Sequence, residues 1–418
     1  MCYMLRVMKA HYFSGQVSRG FVSIYSSRII MGISSGLLGL FLPIFLYEFF
    51  NFDLKFVIAY YFIDYLIYLL VVAPGAMLSV NVLGLKKSMI ISSIWGALYY
   101  WMFYLAANVS NGGQCSFSLH PNAWLFLGLT FVFINLQRFL YWVPLHTDMS
   151  KFTDKSNRTK ELAVLEASLV AFNAVVPIFA GWMLVKYGYD ILFVISILVF
   201  LLSAIPLLSL PQTSEKYEWS YFKTWKALFS KKRRKIVLAF MGDGAENVVS
   251  GLIWPIFIWE LLQGNYLQVG FISSLVVITT VAMQLFVGRF ADAGKNDKIL
   301  KYGTILYAIG WIIKMFIDTA FQIFVVSTYH SLTRAFTRAP FDALNYQRAA
   351  DQGHYVDEYT VVHEMALTLG RCLMLVAIFL LVPIFGMAAT FILAALSTLL
   401  MNLLIEDEGV VRGKRLVL

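Results

Sequence analysis

Pro43-Ile44-Phe45-Leu46-Tyr47-Glu48 returns 212 residues later as Pro255-Ile256-Phe257-Ile258-Trp259-Glu260, with four identities and two conservative changes in six positions. Two further marks keep the same order. Arg138 precedes Pro144 by six residues and Arg334 precedes Pro340 by the same six, at an offset of 196, while Glu166 and Glu364 stand 198 apart. The drop of 16 in the offset matches the greater length of the first copy around Asn108 to Pro121. Three ordered matches with one compensating loop read as an internal duplication.

Composition says what is duplicated. The chain has 418 residues, 60% hydrophobic and only 14% charged, against about 25% charged in soluble domains. A soluble enzyme, a disordered tail, a coiled coil and a disulfide scaffold are excluded, since none could be wetted by so few charges. A bilayer crossing takes roughly 20 apolar residues. Spans are expected near 22–47, 56–78, 88–107, 123–145, 161–185 and 191–210, then near 236–262, 269–290, 302–318, 320–345, 360–382 and 386–405. Stretches such as Ile191 to Ile205 lack the alternation of a membrane barrel. The expected fold is therefore an all-α polytopic membrane protein of twelve transmembrane helices. It divides into a six-helix half at 1–210, a linker at 211–235, a second six-helix half at 236–405 and a tail at 406–418. Six is even, so the two copies enter the membrane from the same side.

Of the 33 Lys and Arg residues, 25 fall in the segments on one side, and only Lys55 and Lys186 lie in loops on the other. Basic loops stay cytoplasmic, so both termini are expected inside and the membrane is expected to be the plasma membrane. The net charge of +9 then reports topology and not nucleic-acid binding. No removable signal peptide is evident in residues 1–18. The linker spaces Trp219, Phe222, Trp225, Lys226 and Phe229 helically among lysines, which predicts an amphipathic helix on anionic headgroups. Gly32 and Gly36 read as a close helix-packing face. Gly32-Ile33-Ser34-Ser35-Gly36 is not a nucleophile elbow, because it lies inside an apolar helix. Cys2, Cys115 and Cys372 form no metal or redox pair, and neither a cofactor nor a metal is expected.

A charge at the bilayer centre costs roughly 2.5–3.5 kcal/mol, so those inside spans must pair or line water. His330, Arg334, Arg338 and Asp342 follow one another at i, i+4, a stripe of about 18 Å. Arg138, Arg334, Arg371 and His330 are candidates for binding substrate. Arg28, Asp243, Glu246, Glu166, Arg338, Asp342 and Glu364 lie nearer one end of their spans, as gate ion pairs or proton-coupling groups. Structural salt bridges remain an alternative for all of them. Asp243 and Glu246 suit a proton carrier if tuned by Arg28 or Arg138. Lys314 and Asp318 read as a local i, i+4 pair.

Twelve spans, paired halves, a long basic central loop and cytoplasmic termini resemble the major facilitator superfamily over essentially the whole chain. That family's loop motif is partly matched by Gly288-Arg289-Phe290-Ala291-Asp292-Ala293-Gly294-Lys295. Gly288 and Asp292 hold the defining positions. In the first copy Gly75, Gly84 and Lys86-Lys87 are present but Ser79 stands at the aspartate position. Arg138 resembles the family's proton-coupling arginine of the fourth helix, without the glycines that usually follow it. The resemblance implies a cavity lined by the first, fourth, seventh and tenth helices. It further implies gradient-driven transport of a small polar or anionic solute by a monomer embedded in lipid, with protons as a coupling ion. Proton-driven efflux of amphipathic compounds, and a non-transporting receptor or lipid scramblase built on the same architecture, stay open. No catalysis is expected.

Overall fold

The computed structural model describes residues 18–109, 121–153, 158–287, 296–350 and 355–405, all folded into helices and their connections. The first pass is α1 (Arg19–Gly39) and α2 (Leu42–Phe49), interrupted at Leu40 and Phe41 and restarted by Pro43, whose missing N–H is no loss in a first turn. Then come α3 (Leu54–Met77), which runs on through a π-helical stretch at Leu78–Leu83, and α4 (Leu85–Val109). They are followed by α5 (Pro121–Phe152), α6 (Arg158–Asn173), α7 (Val176–Leu202) and the short α8 (Ala204–Leu208). The linker carries α9 (Tyr221–Leu228). Beyond it lie α10 (Arg234–Val248), a π-helical stretch at Val249–Ile253, α11 (Trp254–Leu261) and α12 (Tyr266–Val287). The remainder is α13 (Asn296–Lys314), α14 (Ala320–Ala350), α15 (Val356–Phe385) and α16 (Ala389–Leu400).

Among the described residues, eight stretches are long and apolar enough to cross a membrane. One of them, Ala167–Leu208, doubles back at Gly188, whose φ of 72° suits glycine alone. Val176 lies beside Gly36 while Ser34 donates to the carbonyl of Ser196, so the two arms of α7 stand at one level of α1. Helices α13, α14 and α16 fall outside the apolar set through shortness or charge, α14 because it carries Arg334, Arg338 and Asp342. They pack into the same bundle, and with the doubled stretch counted twice the long helical segments among the described residues can be numbered in the order expected from the sequence, as first to twelfth pass. The spans at 123–145 and 320–345 are longer than hydropathy placed them, because polar residues extend α5 and α14 beyond the apolar core.

The repeat continues into the backbone further than residue identity does. Asn51 and Phe52 take φ values of 53° and 63°, and 212 residues on Gln263 and Gly264 take 54° and 78°. Phe52 N donates to Tyr47 O and Gly264 N to Trp259 O, at 2.8 and 2.9 Å. Asp53 then caps α3 through Lys55 N, and Asn265 caps α12 through Gln268 N. The interruption at Leu40–Phe41 likewise answers the π-helical stretch at Val249–Ile253. Gly32 and Gly36 pack against Leu169, Asn173 and Val176, as a small-residue face should. Where α7 crosses α12, a Cβ on Gly181 would stand 2.5 Å from the Tyr266 carbonyl, and Ile178 N donates to Ser274 Oγ at 3.0 Å.

The linker packs against the ends of the helices. Asn81, at the end of the second pass, exchanges both amide bonds with Tyr217 at 3.0 and 2.8 Å. Lys151 pairs with Glu215 at 2.6 Å, Thr213 bonds to Asp148, and Glu218 N donates to Glu358 at 2.9 Å. The phenol of Tyr217 is pushed up to about 12 by burial. Trp219, placed by its spacing on the amphipathic stripe, is instead buried beneath Lys223 and Arg233, while Phe222 and Phe229 remain exposed. Thr147 bonds to Asp357 beside this seam, joining the fourth pass to the eleventh. None of these linker-face contacts was anticipated, since hydroxyls, amides and isolated acids carry no periodic signal.

Candidate functional site

Most of the charged residues described inside the spans gather into two clusters. The first lies between the second, fourth and eleventh passes. Arg138 Nη2 meets Asp64 Oδ2 at 2.9 Å, and Asn135 Nδ2 donates to the other oxygen at 3.1 Å, so the buried Asp64 is satisfied from α5. The Arg138 guanidinium also lies 5.2 Å from the Tyr65 ring and 5.6 Å from Tyr68. From α15, Arg371 approaches the same Tyr65 ring at 5.1 Å, and Tyr68 donates to Glu364 at 3.3 Å. One tyrosine ring thus carries two guanidiniums from opposite halves of the chain.

The second cluster joins the seventh, ninth and tenth passes. Arg338 Nη1 meets the buried Asp243 at 2.5 Å, while its Nε holds Asp342 at 3.0 Å, one turn along α14. Asn247 continues the chain of contacts, donating to Asp243 at 3.1 Å and accepting from Arg334 at 3.5 Å. Glu246 is buried and accepts from Tyr307 at 2.6 Å. Asp243 and Glu246 are therefore held by Arg338 and Tyr307, and not by Arg28 or Arg138 as their sequence setting suggested. His330 does not continue the stripe toward water. Its ring is buried 4.5 Å from both Tyr307 and Trp311.

The expected pairing of Lys314 with Asp318 is overturned. Helix α13 stops at Lys314, so no helical turn brings Asp318 beneath it. The ammonium points inward instead, 3.9 Å from the Trp254 ring and 4.1 Å from Trp311, where the ring faces supply the negative potential a carboxylate would. Arg28 is similar, 4.7 Å from the Trp142 ring, which in turn stacks on His146. Gly288, Asp292 and the side chain of Glu166 lie outside the described residues.

The arrangement has a chemical asymmetry. Each of the carboxylates Asp64, Asp243, Glu246, Asp342 and Glu364 has a hydrogen-bonding partner on another side chain. Among the described residues, Arg28, Arg334 and Arg371 have no carboxylate within ion-pairing distance. Arg334 is also exposed, and among the described residues the hydrogen bond it makes is the long contact to Asn247. Guanidiniums so placed can receive a planar, bidentate anion.

A family model described as "Major Facilitator Superfamily" matches residues 24–244. No curated protein matches the chain. Among solved structures, a POT family transporter crystallised in complex with 5-aminolevulinic acid aligns with a TM-score of 0.67 at 10% identity, covering 92% of this chain and 95% of that one. The human organic anion transporter MFSD10 (TETRAN) aligns equally well, with a TM-score of 0.67 at 12% identity, covering 93% of this chain and 99% of that one. At these identities the likeness is one of fold.

Proposed function

Since this chain belongs to the Major Facilitator Superfamily, we propose that it is a secondary active transporter that moves a small anionic solute by alternating access. The observation that carries the choice of an anion is the set of guanidiniums left without carboxylates, Arg28, Arg334 and Arg371, beside acids that are already engaged. In the family's geometry the first, fourth, seventh and tenth passes line the cavity, and Arg28 and Arg334 stand on two of them. Arg138 is already held by Asp64 and positions Tyr65 and Tyr68; His330 braces Tyr307.

The linker face is cytoplasmic in this reading, the membrane is the plasma membrane, and the chain works as a monomer of two six-helix halves, 1–210 and 236–405. The basic linker 211–235 joins them and 406–418 is a tail. Asp243, Glu246 and Glu364 are the groups inside the spans that we assign to a coupling proton; Tyr307 and Tyr68 can donate to Glu246 and Glu364 or accept from them, so those two stay hydrogen-bonded in either protonation state. Arg338, Asp342, Glu166 and the loop residues Gly288 and Asp292 belong to the gating machinery.

The test is a thermal-shift screen of purified protein against small carboxylates, phosphates, amines and neutral sugars. A ligand of the native state raises its apparent stability. Stabilisation confined to anions, and diminished in Arg334→Gln, is expected. Stabilisation by cations or neutral solutes alone would remove the anion reading.

A further inference from the structure

The residues that announce the repeat do their work at the face away from the linker. Tyr47, in the first copy, donates to Glu260 of the second at 2.5 Å, and Tyr266, which opens α12, donates to Glu48 of the first. The two glutamates are the matched final residues of the repeated hexapeptide. Each is therefore held by a tyrosine of the opposite half. Around them Phe52 stacks on Trp259 at 6.1 Å and 14°, Tyr47 meets the same indole edge-on, and Tyr189 meets Tyr266 edge-on. Phe52 keeps its left-handed backbone although its counterpart is Gly264, and strain of that kind persists only where neighbours enforce it.

We propose that Glu48 and Glu260 are proton-binding groups of the far face, which latch the two halves together when ionised and release them when protonated. The inference rests on the alternating-access reading and adds the site at which protons act. An ionised acceptor makes a hydrogen bond roughly twice as strong as a neutral one. A proton taken from water onto either carboxylate neutralises the acceptor and turns one oxygen into a donor, so the bond to tyrosine falls to the weaker class. Nothing nearby replaces the lost charge. Among the described residues no Lys, Arg or His lies within ion-pairing distance of Glu48 or Glu260.

The ionisable groups facing this latch are few. They are Tyr47 and Asp53 from the first copy, Tyr189 of α7, which acts on Glu48, and Tyr266 of α12. Lys55, Lys186 and Asp190 stand exposed at the same end. Asp243 and Glu246 differ in kind, since their partners Arg338 and Tyr307 lie in their own half. Protonating those two weakens no contact between halves; protonating Glu48 and Glu260 weakens two. A ligand shifts a conformational equilibrium only through such differential contacts.

The test is a distance. Spin labels at Lys55→Cys and Gln268→Cys, in a chain with its three native cysteines replaced, report the separation of the far-face tips in lipid nanodiscs by pulsed electron resonance. At pH 8 one short distance is expected, and at pH 5 a longer population should grow. Glu48→Gln with Glu260→Gln, which imitates the protonated pair, should show the longer population at both pH values. Tyr47→Phe with Tyr266→Phe should do so at pH 8, with the carboxylates intact. A short distance that persists at pH 5, or a Gln pair that responds to pH as the parent does, overturns the proposal. The readout needs no solute. A pH-indifferent far face in a chain that carries an anion would remove the latch and keep the transporter, and pH-driven opening with no solute flux would do the reverse.

Discussion

Arg338 stands between two acids, with Asp243 of α10 on its Nη1 and Asp342 of its own helix on its Nε. The two bonds are unequal, because Asp243 is 1% exposed and Asp342 is 38% exposed. Removing the partner of a buried charge costs up to 3–5 kcal/mol, whereas exposed helix pairs contribute about 0.3–0.5 kcal/mol. Because Arg338 itself is 40% exposed, water takes up part of the loss. Asp243→Asn is expected to destabilise by about 1–2 kcal/mol, and by more than Asp342→Asn. Thermal melts of the two variants in nanodiscs give the order, and a larger shift for Asp342→Asn would contradict the assignment.

Asp64 and Arg138 form the more enclosed pair. Asp64→Asn leaves a guanidinium among Tyr65, Tyr68 and Asn135 with no counter-charge, at a cost of about 3 kcal/mol. Adding Arg138→Gln removes the orphan charge, so the double variant should recover much of that loss. A double-mutant cycle in denaturant or heat measures the coupling, and strictly additive losses would show that the two charges do not depend on one another.

Among the described residues Arg334 has no carboxylate within ion-pairing distance. Arg334→Gln is expected to change unliganded stability by less than about 0.5 kcal/mol. It should weaken binding of an anion by roughly 10–100-fold, the range that losing a charge-assisted hydrogen bond predicts. Calorimetric titration with the anion found in the screen checks both halves of the statement. Unchanged affinity would take Arg334 out of the site.

Trp219 anchors the linker, buried with Lys223 4.9 Å and Arg233 5.4 Å from its ring. Truncating a buried tryptophan costs about 3–5 kcal/mol. That loss falls on a segment whose lysines are trypsin sites. Trp219→Ala should be cleaved between Lys216 and Lys235 at least about tenfold faster than the parent, because local opening sets the rate. Phe222→Ala, which removes an exposed ring, should be cleaved at the parental rate.

Hexapeptide identity made the duplication legible before any geometry, and scarce charge made the helical membrane fold legible with it. The backbone then extended the repeat to Asn51-Phe52-Asp53 and Gln263-Gly264-Asn265, where no identity remains. Dihedral angles are conserved there by turn mechanics, and a sequence comparison sees only side chains. The site was legible as a list of costly charges. Its partners were not, because tyrosine is frequent in this chain and Tyr68, Tyr307, Tyr47 and Tyr266 carry no charge pattern. Lys314 was misread for a simpler reason. An i, i+4 rule presumes that the helix continues, and α13 ends at that residue.

The broken first pass and the π-helical stretch in the seventh isolate two tips of equal length, α2 and α11, each of eight residues. Interrupted backbone bonding is where helices bend most cheaply. Each tip is therefore a short lever on a soft collar, mechanically insulated from the shaft that carries the buried charges. A twist at one end of the molecule need not be transmitted to the other. In the proposed latch the far face yields at these collars while the ion pairs of Arg138 and Arg338 stay whole.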